Sequence, residues 1–437
     1  MEVDDQQVNL TRFSLFFPEK REFFLENSGI FAFGARGTFE PPPFLAFFSR
    51  RIGINPDSGE VPLLGGGRLT GRLGGQTLGI LSAMTASRYG DPRTAFNVAR
   101  VKRDVGGAGY IGAILVDRRN SDAANTVGGV DWSLWPLQKL NAQGFVARTA
   151  TQGPGGDGLA WRLGMDYQTS NFSGSVSQVQ VGDSVKARAG FVTRTGVRRT
   201  QGNFRYVFRP KVFNLRRISL NTFDDLVTNT HGHRQDWSVS LGMSPMWNTA
   251  DNLALFYTFG RSRVDEDFKL ADTAWVAAGD YASNTITVFG TSGPGRPIVL
   301  NVNADFRQQF GGRVTSLTAG AAATPNMHLS FRLSYTRSDA SLPNDTLRNG
   351  TPSGGDFVAH LLSLRTTYAF TTKLSLNSLA QYNSLDRRVS VNLRLSYIFR
   401  PGSDVFVVLN EERGSDVAVW DPRSRGVRLK VTYLARL

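Results

Sequence analysis

Met327-His328-Leu329-Ser330-Phe331-Arg332-Leu333-Ser334-Tyr335-Thr336 reads apolar, polar, apolar, polar without a break. Successive side chains of a strand point to opposite faces, so this stretch collects its bulky apolar groups on one face. His328, Ser330, Arg332, Ser334 and Thr336 fall on the other. The pattern recurs in Leu159, Trp161, Leu163, Met165 and Tyr167, set against Arg162, Gly164, Asp166 and Gln168. It recurs again in Ile298, Leu300, Val302, Ala304 and Phe306, and from Val389 to Phe399 with Ser390, Asn392, Arg394 and Ser396 opposite. Each run is about nine to eleven residues, the length a tilted strand needs to cross a bilayer.

A soluble antiparallel sheet also alternates, so the connections have to discriminate. Short turns occur at Trp135-Pro136-Leu137-Gln138, Arg209-Pro210-Lys211, Asn248-Thr249-Ala250-Asp251, Thr324-Pro325-Asn326 and Arg400-Pro401-Gly402-Ser403. They trade places with longer polar stretches at Asn120 to Gly128, Asp183 to Thr200, Asp265 to Gly279, Ser338 to Asp356 and Glu412 to Ser424. Short turns on one side and longer loops on the other are the asymmetry of an outer-membrane barrel. The sequence therefore predicts an all-β fold, a large antiparallel transmembrane β-barrel of about 22 strands, within a range of about 16 to 22. Counted back from the C-terminus, its first strand falls at about Leu45 to Ile54, and an even total places both ends in the periplasm. The domain reading is a non-strand segment over 1–44, in or near the lumen or serving as a linker, and a barrel over 45–437.

Composition agrees. The 437 residues contain 46 Gly and 30 Phe, which suits tight turns and rings of outward aromatic groups. Hydrophobic residues make up 41%, and nowhere do about 18 apolar residues run together, which excludes a helical membrane protein. The chain has no Cys, so it has neither disulfides nor thiolate metal sites. Met1 is followed by Glu-Val-Asp-Asp-Gln-Gln, with no basic start and no apolar stretch. We read the chain as a fragment or mature C-terminal portion of an exported protein, with a cytoplasmic protein as the competing explanation. Its last residues alternate to the end, and Val431, Tyr433, Ala435 and Leu437 read as a C-terminal assembly signal for the barrel-assembly machinery, although such signals usually end in an aromatic residue.

The first residues behave differently. Phe13, Phe16, Phe17, Phe23 and Phe24 surround Pro18-Glu19-Lys20-Arg21-Glu22, and Pro41-Pro42-Pro43 closes the region. A barrel this wide needs something to fill it, so the segment reads as a plug or, equally, as a linker to a preceding domain. The stretch Val8 to Glu26, with Phe47-Phe48-Ser49-Arg50-Arg51-Ile52-Gly53, Leu64-Gly65-Gly66-Gly67-Arg68-Leu69-Thr70-Gly71 and Gly190-Phe191-Val192-Thr193-Arg194-Thr195-Gly196, resembles a family of uncharacterised bacterial envelope proteins. In that family the C-terminal domain of unknown function is a predicted outer-membrane β-barrel, commonly preceded by a domain similar to family 9 carbohydrate-binding modules. The resemblance implies an outer-membrane location and a role near glycans.

Catalytic chemistry has little support. His231-Gly232-His233 lies in a turn and lacks a third metal ligand. Gly65-Gly66-Gly67 is followed by neither Gly-Lys-Ser nor Gly-Lys-Thr, so it is better read as a strand that bends or is closely approached. Glu411-Glu412 and Asp224-Asp225 are adjacent pairs that point to opposite faces of a strand, unsuited to glycosidic cleavage. No catalytic, cofactor or metal residues are assigned, and an outer-membrane hydrolase is the least supported reading. The excess of 50 Lys and Arg over 36 Asp and Glu is spread over many strands, which argues against nucleic acid. Arg68, Arg72, Arg162, Arg307, Arg332, Arg394, Arg428 and Lys430 fall on polar faces, the lumen side of a barrel. They would favour an anionic solute or glycan, or pair with carboxylates such as Asp166 and Asp305. The remaining partners are outer-membrane lipid and lipopolysaccharide. The leading reading is a channel, transporter or solute-capture barrel, and the second is a membrane anchor for a carbohydrate-binding-like domain.

Overall fold

The alternating runs form strands. The computed structural model describes residues 4–34, 42–55, 59–152, 156–271, 273–344, 347, 350, 354–401, 403–414 and 422–433. Among these, 21 strands make one large sheet whose hydrogen-bonded order is that of a closed barrel, each strand beside its neighbour in sequence. Such a meander is what short hairpin connections produce. The chain divides into two compact units.

The unit of Phe13–Tyr206 and Thr222–Val239 contains Leu63–Leu73 (β1), Gln76–Thr85 (β2), Thr94–Val105 (β3), Gly109–Arg119 (β4), Ala124–Leu137 (β5), Leu140–Thr151 (β6), Gly158–Gln168 (β7) and Phe172–Val181 (β8). Next in the sheet come Val197–Phe208 (β9), Leu215–Asn229 (β10) and Arg234–Trp247 (β11). The other unit, Met1–Arg12, Val207–Asn221 and Ser240–Leu437, contains Asn252–Val264 (β12), Gly279–Thr291 (β13), Ile298–Gln309 (β14), Gly312–Ala323 (β15), Leu329–Leu342 (β16), Gly355–Ala369 (β17), Leu374–Asn383 (β18), Arg388–Arg400 (β19), Ser403–Gly414 (β20) and Pro422–Thr432 (β21).

Three sequence expectations shift. Residues Leu45 to Ile54 are no barrel strand: Phe44–Leu45 and Ile54–Asn55 are two-residue strands flanking a 3-10 turn at Ser49–Arg51. The consecutive aromatics Phe47 and Phe48 and the Ser-Arg-Arg run break the alternation a strand needs. The barrel thus starts at Leu63, one strand later, and its described count is odd, so the argument from an even total does not hold. The expected loop at Asn120 to Gly128 shrinks to four residues, because β5 already begins at Ala124. Trp135 to Leu137 belongs to β5, whose pairing with β6 shifts register between Leu134 and Leu137, and the turn follows at Gln138.

Among the described residues, one face of the strands carries exposed apolar side chains. In β7 the alternate residues Leu159, Leu163 and Met165 are 49%, 55% and 61% exposed. Leu69, Ile80, Leu115, Val130 and Val146 continue this exposed face through β1, β2, β4, β5 and β6. In the other unit Leu300, Phe306, Leu317, Leu333 and Leu362 do the same. An apolar band repeated on every strand is a lipid-facing surface.

The turn between β11 and β12 is fixed by Asp251. Its carboxylate accepts from the Thr249 hydroxyl at 2.6 Å, the Gly293 N–H at 2.8 Å and Arg296 Nη2 at 2.7 Å. These bonds, chiefly those from Thr249 and Arg296, pull its pKa down to about 2. A depressed carboxylate adds stability above its ordinary range that is lost as pH falls toward the folded value. Asp251→Asn is therefore expected to lower the thermal midpoint at neutral pH and to flatten its decline between pH 4 and pH 2. Melting curves across that range check it.

Candidate functional site

In the first unit, the face opposite the lipid-facing one is covered by the described residues of 13–34 and 42–55. Phe24, Phe31, Phe33, Phe44, Ala46 and Ile52 of this segment pack on Leu81 and Ala83 of β2, Phe96 and Val98 of β3, Ile114 and Val116 of β4, Val127 of β5 and Phe145 and Ala147 of β6. Both faces of these strands are thus apolar. A side chain at Gly79 of β2 would stand 2.8 Å from Ile30 and 3.0 Å from the Phe31 ring, so the close approach needs glycine there. Arg68 of β1 donates to the Phe23 carbonyl at 2.6 Å and pairs with the Glu26 carboxylate. Lys102 of β3 donates to the Gly29 carbonyl at 3.0 Å.

The motifs that lie far apart in sequence meet here. Phe16 stacks on Phe48 at 5.0 Å and meets Phe191 edge-on at 5.2 Å. Phe44–Leu45 pairs with Phe191–Val192 as a short antiparallel strand pair. Gly190 permits that pairing, since a Cβ on it would lie 2.0 Å from the Leu45 carbonyl oxygen. Arg21 joins the first two motifs: it donates to Glu19 at 2.9 and 2.7 Å, to the Ile52 carbonyl at 2.6 Å and to the Ser49 carbonyl at 2.8 Å. Its guanidinium also lies 4.3 Å from the Phe24 ring centre. Burial alone would raise the pKa of Glu19, but Arg21, the Ser49 hydroxyl and backbone N–H donors outweigh it and hold the carboxyl below its ordinary value.

Beneath the aromatic cover lies a charge pair that the sequence reading did not single out. Arg100 of β3 and Asp131 of β5 are fully buried as an ion pair 2.7 Å apart, and Arg100 Nη2 donates to Asp131 Oδ2 at 2.8 Å. Tyr110 donates its hydroxyl to Asp131 at 3.1 Å, and the Gly34 N–H donates at 3.0 Å. Asn125, also buried, holds the loop after β8 through the Lys186 carbonyl at 2.7 Å and the Arg188 N–H at 2.8 Å. The available signal was a charged residue in each of two strands, Arg100 and Asp131, at positions whose strand neighbours on the same face, Val98 and Val127 among them, are apolar and buried.

In the second unit the covering is partial. Val8 and Leu10 pack with Val264, Phe310, Val314, Leu342 and Phe357, together with the small hairpin of Phe268–Ala271 and Ala274–Val276. Beside them opens a cavity of 460 Å³ whose wall includes Ser316, Ser334, Thr336, Ser363, Arg332 and Arg365. A second cavity of 420 Å³ shares Arg332 and Arg365. The two arginines are direct cross-strand partners on β16 and β17.

The expected basic residues have different fates. Arg68 is engaged by the N-terminal segment, as above, and Arg72 pairs with Asp104. Arg162 sits opposite Phe145 of β6 and Val179 of β8, while Asp166 accepts from Gln143. Arg307 pairs with Asp305 at 3.4 Å. Arg394 and Lys430 lie over the Phe406 ring at 4.1 and 5.4 Å. Arg428 faces Val408 in the β20–β21 register. Arg332 lines both cavities and, among the described residues, makes no ion pair. His231 and His233 lie in the β10–β11 turn, their backbone N–H groups donating to the Asn229 side-chain oxygen. Glu411 and Glu412 each accept from arginines, Arg425 and Arg388 respectively, and Asp225 accepts from Arg199. Of the terminal signal, Val431 and Tyr433 are exposed, and Ala435 and Leu437 lie outside the described residues.

No protein-family model and no curated protein matches the sequence. Among solved structures, the siderophore receptor PirA from Pseudomonas aeruginosa is similar with a TM-score of 0.50 at 8% identity, over 77% of this chain and 71% of that one. PirA from Acinetobacter baumannii is similar with a TM-score of 0.50 at 7% identity, over 82% and 72%. The fold is that of a large outer-membrane β-barrel.

Proposed function

We propose that this chain is an outer-membrane channel or transporter that passes or captures an anionic solute, with its N-terminal segment, described over 13–34 and 42–55, as its plug. The observation that carries the reading is the pair of adjoining cavities on the face turned away from lipid, which share the cross-strand pair Arg332 and Arg365. Hydroxyl groups and a cross-strand arginine pair, offset on one side by the Asp5 carboxylate, are the means by which barrels select by field and hydrogen bonding. The likeness to siderophore receptors supports a transport barrel through fold alone. The resemblance to envelope proteins with a carbohydrate-binding-like domain supports an acidic glycan as the solute. A structural anchor is the second reading, favoured by the dense aromatic cover over β2 to β6. The barrel reaches the membrane through the assembly machinery that reads its C-terminal strand, and it meets lipid and lipopolysaccharide there.

Refolded protein in detergent should run as a compact species that shifts on boiling. In planar bilayers it should then conduct anions in preference to cations, and the preference should reverse in Arg332→Glu/Arg365→Glu. A heat-modifiable barrel with no conductance and no solute binding would establish the anchor instead.

A further inference from the structure

We propose that Arg332 and Arg365 form a binding site for the carboxylate of a solute, and that Asp5 is a competitor for it built into the chain. The inference rests on the solute-handling reading and names its ligand chemistry.

Like charges directly opposite on neighbouring strands are destabilising unless an anion answers them. Arg332 and Arg365 occupy such a position. The structure supplies half an answer: Asp5 Oδ1 accepts from Arg365 Nη2 at 2.8 Å. A carboxylate therefore already sits at this place, and it satisfies one guanidinium while Arg332 has no ion-pair partner among the described residues. A solute carboxylate could take both, because planar guanidinium groups bind carboxylates through paired bonds. Ser334 and Thr336 of β16, with Ser363 of β17, place hydroxyls around the same cavity, where they can bond a polyhydroxylated body.

Asp5 is held there independently of its charge. Gln381, 3% exposed, accepts from the Gln6 N–H at 2.8 Å and donates to the Asp4 carbonyl at 3.2 Å. Gln6 in turn donates to Ser390 at 3.0 Å. The segment is gripped by its backbone on either side of Asp5, so the carboxylate can be removed while the segment stays. The Asp5–Arg365 pair is about half exposed on both sides, and exposed pairs are weak, so a solute could displace it.

The test is calorimetric titration of the refolded full chain in detergent with galacturonate, galactose and acetate. Asp5→Asn should bind galacturonate about twofold to fivefold more tightly than wild type, since a weak exposed pair no longer competes. Gln381→Leu, which frees the segment, should act in the same direction. Asp5→Asn/Arg332→Gln and Asp5→Asn/Arg365→Gln should lose that binding while remaining heat-modifiable. Acetate bound as tightly as galacturonate supports recognition of the carboxylate alone, and tighter galacturonate adds the hydroxyls. Galactose bound as well as galacturonate, or an Asp5→Asn affinity equal to wild type, overturns the proposal. Failure of passage alone looks different: galacturonate binds through the arginines but no conductance is seen, which leaves solute capture.

Discussion

Asp131→Ala is expected to destabilise the barrel by about 3–5 kcal/mol, the usual cost of removing one member of a buried ion pair. The loss comes from what remains. Arg100 would be left with its charge, fully buried beneath Phe33, without the carboxylate it is paired with. The Tyr110 hydroxyl and the Gly34 N–H would lose their common acceptor. Because Gly34 belongs to the covering segment, the variant should also expose that segment to trypsin at Lys20. Arg100→Met/Asp131→Leu should recover most of the stability, since a well-packed apolar pair replaces a buried ion pair at little net cost. Urea unfolding in lipid vesicles, followed by tryptophan fluorescence, measures both variants. A wild-type midpoint for Asp131→Ala would sink the assignment, and a double variant no better than the single would show that the pair is needed as a pair.

The same burial explains which parts of the fold could be read from the sequence. β7, β14, β16 and β19 alternate cleanly because one face meets lipid and the other is polar. β2 to β4 do not, because Leu81, Phe96, Val98, Ile114 and Val116 are buried against the covering segment while Ile80, Val101 and Leu115 face outward. A strand apolar on both faces has no period-two signal. The candidate cavity was half legible. Arg332 stood out on the polar face of the clearest strand, but Arg365 becomes its partner only through the β16–β17 register, which a sequence does not print. Asp5 reaches Arg365 across a separation of 360 residues, a contact no local pattern foretells.

Arg21→Ala is the second large effect, and it should release the covering segment without dissolving the barrel. Arg21 spends its guanidinium on Glu19 and on the carbonyls of Ser49 and Ile52, so it ties the first aromatic motif to the turn of the second. Removing it leaves Glu19, whose side chain is 10% exposed, with a buried charge supported only by Ser49 and backbone N–H groups. Arg21→Lys should not restore the tie, because an ammonium cannot present a planar fork to one carboxylate and two carbonyls together. The readout is trypsin cleavage at Lys20 with the barrel band on a gel unchanged. Acid should do what the substitution does. The folded pKa of Glu19 lies below 4.5, so the stabilisation it gives is complete above that value and is lost as pH falls through the lower folded one. Cleavage with an acid-active protease should therefore rise below pH 4.5 in the wild type, and Arg21→Ala should show the raised rate at neutral pH already. An Arg21→Lys variant as resistant as wild type would mean that the aromatic contacts of Phe16, Phe48 and Phe191 hold the segment and that the guanidinium only decorates it.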